Sequence, residues 1–258
     1  MLLRRISNHI KRQDWVAALL DIAVVILGVF IGLQATAWNE DRQAKNVEHA
    51  TLQRLQAEAE QVVAFWQSQV DQDQRANQNR RLLLEVLDRG TMTPDEQSAV
   101  DDALMRLGFY PQFSPPKSVY DELIAAGGLS RISDILIRNA VSDYAAELSF
   151  VTGQLTQFRT TLPLQYDAYK GRIFSAYAPE KASMRRYEYD IAVLADDRQF
   201  VSVIIDSVRD QLQFFTYRES ILKQAIMMCE AVSRALSISC DPPGFSEEEI
   251  KARDGVNR

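Results

Sequence analysis

From Trp15 to Trp38 the sequence is apolar with a single charged residue, Asp21, and no other feature constrains the fold as strongly, because such a run has to be kept from water. The two bracketing tryptophans are 23 residues apart, about 35 Å along a helix rising ~1.5 Å per residue, close to the thickness of a bilayer's hydrocarbon core. The reading is one transmembrane helix over 15–38. Trp15 and Trp38 act as interfacial anchors, since indoles favour the headgroup boundary. Arg4, Arg5, Lys11 and Arg12 precede the span, whereas Arg42 and Lys45 beyond it are diluted by Glu40, Asp41 and Glu48. That asymmetry predicts a cytoplasmic basic tail over 1–14 and places the remainder outside the cytoplasm.

The alternative is a signal peptide. Ala35-Thr36-Ala37 has the small-x-small form of a cleavage site after the uncharged run Ile22 to Leu33. Asp21 interrupts that hydrophobic region, however, and helix-favouring sequence continues past the cut, so an uncleaved anchor is expected. Of 258 residues, about 220 follow the span, enough for one sizeable core. The net charge is −6; the first fourteen residues contribute +3 and Asp21 contributes −1, leaving −8 beyond Trp38. An acidic exterior without basic clusters argues against nucleic acid as a partner. The lipid bilayer is the expected one.

From Leu33 to Arg89 there is neither glycine nor proline, and the span is expected to continue into a long helix. Leu52, Leu55, Ala59, Val62 and Trp66 recur at spacings of three and four and form a core stripe. The polar stretch Gln67 to Arg81 predicts a bend or an exposed turn. Gly90 ends the helix, and Thr93-Pro94-Asp95-Glu96 opens another that runs to about Gly108. Phe109 to Lys117, with three prolines, reads as extended. A short helix over Ser118–Ala126 stops at Gly127-Gly128. Ser133-Asp134 caps a longer one to about Thr161, near Pro163. Further helices are expected over Gln165–Ala176 and, after Asp196, over Gln199–Ser237. The fold class is all-α: an N-terminal transmembrane helix continuing into a long helix, then an extracytoplasmic helical bundle over 39–245 and a polar tail over 246–258.

Cys229 and Cys240 both fall outside the cytoplasm, where a disulfide persists. Eleven residues of straight helix would separate them by about 16 Å, far beyond a bridge's usual Cα spacing of about 4.4 to 6.8 Å, so a bridge requires the chain to turn. Asp241-Pro242-Pro243-Gly244 marks the helix end, and if fraying starts earlier no reversal at Ser237-Ile238 is required. The two states, bridged and unbridged, stay open.

Little in the sequence carries chemistry. His9 and His49 are the only histidines, and no phosphate loop, nucleophile elbow or zinc-protease motif is present. Asp71-Gln72-Asp73 starts like a calcium loop but lacks its glycine and closing glutamate. Glu58 with Glu60, and Asp101-Asp102, read as solvated faces. No catalytic, cofactor or metal residue is assigned, and no enzyme is expected. The glycine turn within Ser118–Val141 reads as a helical hairpin, since its second helix offers Arg138 alone between Asp134 and Asp143.

The span holds the sharper constellation. Asp21, Val25, Gly28, Gly32 and Ala35 share one helix face, and Gly28-Val29-Phe30-Ile31-Gly32 is a small-xxx-small motif that permits close approach of a second helix, from another copy or a membrane partner. Tyr110, Phe113, Tyr120, Tyr144, Tyr166, Tyr169, Phe214, Phe215 and Tyr217 read as core. A small-molecule pocket with Arg131 or Arg138 turned inward is the minor alternative.

Gly28 to Gln34 followed by Trp38-Asn39-Glu40, and later Tyr120-Asp121-Glu122-Leu123, Gly128-Leu129, Ile132-Ser133-Asp134 and Ile137-Arg138, resemble the domain-of-unknown-function 6090 family of bacterial single-pass proteins. The resemblance implies an anchor with a helical domain behind it and no activity. The expectation is a bacterial inner-membrane protein, N-terminus inside, whose periplasmic domain serves protein interaction or assembly. The alternative is a ligand-sensing bundle signalling through a membrane partner.

Overall fold

The computed structural model describes residues 15–125, 127–160, 167, 169–179 and 184–244; the side chains of 15–18 and 21 lie outside that description. Alanine, leucine, glutamine, glutamate and arginine dominate the stretch free of glycine and proline, and it forms one helix, α1, over Trp15–Arg89. Gly90 stops it by adopting a φ of +67°, the left-handed conformation that glycine takes without a Cβ penalty.

The chain divides into two units that meet between Thr51 and Leu52. In the first, Leu19, Ile26, Phe30 and Leu33 are exposed along α1. An 18-residue window there has a mean hydropathy of 1.8 with none of it buried, so this helix is long and apolar enough to cross a membrane.

The second unit is mostly helical. Its elements are the rest of α1, α2 (Gln97–Arg106), α3 (Ser118–Ala125), a 3-10 turn (Gly128–Arg131), α4 (Ile135–Thr160), strands β1 (Phe174–Tyr177) and β2 (Arg185–Glu188), α5 (Ile191–Asp196) and α6 (Arg198–Leu236). The stripe expected on α1 is the core: Leu52, Leu55, Ala59, Val62 and Trp66 are all buried. They pack with Ile137, Val141 and Tyr144 of α4 and Phe214, Ile221 and Met228 of α6. A second cluster joins Leu83, Val86 and Leu87 to Val100 and Leu104 of α2 and Phe200 and Ile204 of α6. Most of the aromatic residues fill these clusters. Tyr110 stacks on Phe158 at 5.4 Å, Phe113 sits edge-on to Trp66 at 4.8 Å, and Tyr169 belongs to the second cluster. Tyr166 and Pro163 lie outside the described residues.

Trp66 Nε1 donates to the Tyr144 hydroxyl at 3.2 Å within the first cluster. Burial pushes the Tyr144 phenol up from 10 to about 12, against the opposing pull of the indole N–H. Below pH 10 the group is neutral in both folded and unfolded chains; between pH 10 and 12 only the unfolded chain ionises it. Stability should therefore fall across that window by on the order of 2–3 kcal/mol from this group. Urea midpoints below and above it should show the fall in the wild type and a smaller one in Tyr144→Phe; equal falls would contradict this.

Several local expectations are corrected. The polar stretch 67–81 neither bends out nor turns: it is helical throughout, and Val70, Ala76, Asn77 and Arg80 within it are buried. Its polar groups find partners on α6, where Arg218 Nη1 donates to Asp73 Oδ2 at 2.6 Å and Gln211 Oε1 accepts from Arg80 Nη2 at 3.0 Å. Residue numbers thus fall on α6 as they rise on α1, and the two helices run antiparallel. Ahead of α2 a turn intervenes, so the helix begins at Gln97 and not beside Thr93; the Glu96 carboxylate reaches back to the Thr93 N–H at 2.9 Å and pairs with Arg89.

Of the helix expected over Gln165–Ala176, Gln165, Tyr166 and Ala168 lie outside the described residues and Asp167 and Tyr169 are helical, but its end is corrected: Phe174–Tyr177 is a strand of an antiparallel hairpin, with Phe174 opposite Glu188 and Tyr177 opposite Arg185. The second unit remains mostly helical, with this one two-stranded hairpin among the described residues. Strands of four residues are too short to display the alternation that signals a sheet, and nonlocal bonds hold the segment: Tyr169 Oη to the Leu104 carbonyl at 3.1 Å, and Arg172 Nε to Asp197 Oδ2 at 2.6 Å. Asp197 also caps α6 by accepting from the Phe200 N–H, and Asp190 caps the short, unanticipated α5. The Arg172 guanidinium and that N–H hold the Asp197 carboxyl below its ordinary range.

Cys229 and Cys240 are joined in a disulfide with a Cα–Cα distance of 5.8 Å. The turn that brings them together does lie at Ser237, which takes a φ of +58° while the Ile238 N–H donates to the Ser233 carbonyl, a left-handed helix cap. Closing an eleven-residue loop removes unfolded-state entropy worth about 3 kcal/mol.

Candidate functional site

Two places among the described residues are candidate sites of contact with other molecules. The first is the face of α1 in the first unit. Val25, Gly28, Gly32 and Ala35 follow one another at steps of three and four and are exposed. A Cβ placed on Gly28 or Gly32 would meet no other atom within 4 Å, so neither glycine is required by the fold. Trp38 is exposed as well. The side chains of Trp15 and Asp21 lie outside the described residues.

The second place is a small cleft in the second unit, open to solvent and lined by Gln69, Gln72, Asp73 and Arg80 of α1, Arg106 of α2 and Arg218 of α6. Arg80 and Arg218 are both buried. Arg80 donates to Asn77 Oδ1 at 2.6 Å and to Gln211 Oε1 at 3.0 Å, while Gln211 Nε2 donates to the Leu107 carbonyl at 2.7 Å. Arg218 pairs with Asp73 and lies 4.6 Å over the Phe214 ring. Arg106 is more exposed and pairs with Asp102 at 2.7 Å, which also accepts from Asn79. Burial lowers the pKa of Arg80 from its ordinary value, with Asp73 opposing and the like charges of Arg218 and Arg106 adding to the effect.

No family model, curated protein or solved structure matches this chain. Function has to be read from the side chains themselves. Of the two arginines that the minor pocket alternative would turn inward, Arg131 is exposed and Arg138 donates to the Ser133 carbonyl at 3.0 Å in a loop-fastening role. The carboxylates read as solvated faces are mostly structural. Glu58 is buried and accepts from the Ser118 hydroxyl and the Val119 and Tyr120 N–H groups at 2.8–2.9 Å, capping α3 from another helix. Asp101 accepts from Gln97 and Tyr189, and Glu60 from the Asp241 N–H. Among the described residues no group of three metal-ligating side chains converges.

Sequence reasoning missed Arg80, Gln211 and Arg218, although a signal was present. Arg80 continues the steps Ala76, Leu83, Leu87, and Gln211 and Arg218 continue Ile204, Val208, Phe214, Leu222. A charged or amide side chain on an apolar stripe marks a buried polar layer.

Proposed function

We propose that this chain is a single-pass membrane-anchored module whose helical domain, outside the cytoplasm, serves protein interaction or assembly and has no catalytic activity. The observation that carries the reading is the exposed apolar first part of α1, with its open Gly28 and Gly32 face, in a chain whose second unit buries its own core. Lipid covers such a helix, and small residues admit a second helix against it. The basic residues ahead of Trp15 favour a cytoplasmic N-terminus, and the disulfide suits an oxidising compartment such as the periplasm. The resemblance to single-pass bacterial proteins supports the inner membrane.

The test is copurification of two differently tagged full-length copies, and of any companion membrane protein, from mild detergent. Leucine at Gly28 and Gly32 meets open space within the chain, so the double variant reads contact with another molecule and not loss of folding. The complex is expected to weaken by about tenfold, as loss of close helix packing worth ~1–2 kcal/mol implies. An undiminished complex in Gly28→Leu, Gly32→Leu, or none in either protein, would sink the assembly reading.

A second reading, a ligand-sensing module acting through a membrane partner, is favoured by one observation: the arginine-lined cleft of the second unit.

A further inference from the structure

That cleft has a charge balance opposite to that of the chain. A protein of net charge −6 here sets three guanidinium groups, Arg80, Arg106 and Arg218, against one lining carboxylate, Asp73. Asp73 is engaged by Arg218, and Arg106 has Asp102, but Arg80 has no ion pair of its own: its hydrogen bonds run to the amide oxygens of Asn77 and Gln211, and Asp73 offsets its charge only from a distance. Arg80 Nε and Arg218 Nε and Nη2 are buried, and no protein acceptor reaches them. Charged donors left in that condition are costly, and native proteins rarely retain them without a partner.

We propose that this cleft binds a small oxyanion, a carboxylate or phosphate group, between Arg80, Arg106 and Arg218. A guanidinium presents its N–H groups in a fork that matches two oxygens of either group, and a charge-assisted bond is about twice as strong as a neutral one. The two inner guanidiniums are already held, Arg80 by amides and Arg218 by Asp73 and the Phe214 ring, so little side-chain freedom remains to be lost on binding. Gln69 and Gln72 add neutral donors to the wall. The space suits a compact anion or the acidic end of a larger molecule. Every lining residue lies in the second unit, so the site stands whether or not the span mediates assembly.

The experiment is calorimetric titration of the full-length protein in neutral maltoside micelles with inorganic phosphate, sulfate, acetate and succinate, chloride holding ionic strength constant. Saturable binding of one of these is expected. Arg106→Gln, at a side chain 48% exposed, should keep the wild-type melting temperature and weaken binding roughly 10- to 100-fold, the loss of one charged hydrogen bond. Arg80→Lys keeps the charge without the fork and should weaken it further than Arg106→Gln does. Preference among the four probes separates carboxylate from phosphate. Repeating the phosphate titration in phosphatidylglycerol nanodiscs separates a lipid headgroup, which would abolish it, from a soluble anion, which would not. Absence of saturable binding by every probe, or unchanged affinity in Arg106→Gln, would overturn the proposal.

Discussion

Asp73→Ala is expected to destabilise the second unit by about 3–5 kcal/mol, the cost of stranding a buried charge. Arg218 Nη1 lies 2.6 Å from Asp73 Oδ2, and the two side chains are only 4% and 16% exposed. Without the carboxylate, the guanidinium keeps its charge in a site where two of its nitrogens already have no protein acceptor. Arg218→Met should cost less, because it removes the charge and leaves apolar volume against Phe214, while Asp73 retains some access to water. The double variant, Asp73→Ala with Arg218→Met, should accordingly be more stable than Asp73→Ala alone. Urea midpoints of the full chain in maltoside, followed by circular dichroism, measure all three. An Asp73→Ala loss below about 1 kcal/mol, the level of a surface pair, would show that the pair is solvated.

Trp66→Ala should cost a similar 3–5 kcal/mol, for a different reason. Trp66 is fully buried where α1, α4 and α6 converge, with the rings of Phe65 and Phe113 at 5.1 and 4.8 Å and Tyr144 accepting its N–H. Alanine leaves a cavity that helices fixed by so many other contacts fill only in part, and it also deprives the Tyr144 hydroxyl of its donor. Trp66→Phe keeps most of the volume and should recover more than half of the loss. Equal destabilisation by alanine and phenylalanine would mean that the hydrogen bond, and not packing, holds this position. The same urea midpoints decide between them.

The long apolar helix and the first core stripe were legible because their signals are local. An apolar run that outlasts a bilayer's thickness, and a repeat of three and four from Leu52 to Trp66, are properties of neighbouring residues and the helix period alone. Boundaries followed where the chain carries its own punctuation, as at Gly90, Gly127 and Asp134, whose carboxylate accepts from the Leu136 N–H. What failed was nonlocal. Gln67 to Arg81 looked like a solvated stretch because the partners that make it burial-competent lie 131 and 145 residues away, at Gln211 and Arg218. Glu58 looked like surface for the same reason, since the helix it caps starts 60 residues later. The hairpin was invisible because four-residue strands have no period to read, and the bonds that hold their approach reach back to α2 and forward to α6.

The sequence by itself determined that one helix would be long and apolar enough to cross a membrane, that most of the chain would be helical, and which face of α1 would be core. Those outcomes depend on composition and on a 3.6-residue period, both of which act within a few turns. Only the tertiary structure decided that three arginines from α1, α2 and α6 share one cleft, and which of their charges have partners. Antiparallel packing of α1 on α6 sets that register, and the electrostatics of a buried guanidinium depend on which groups lie within a few ångströms of it, not on its neighbours in the chain.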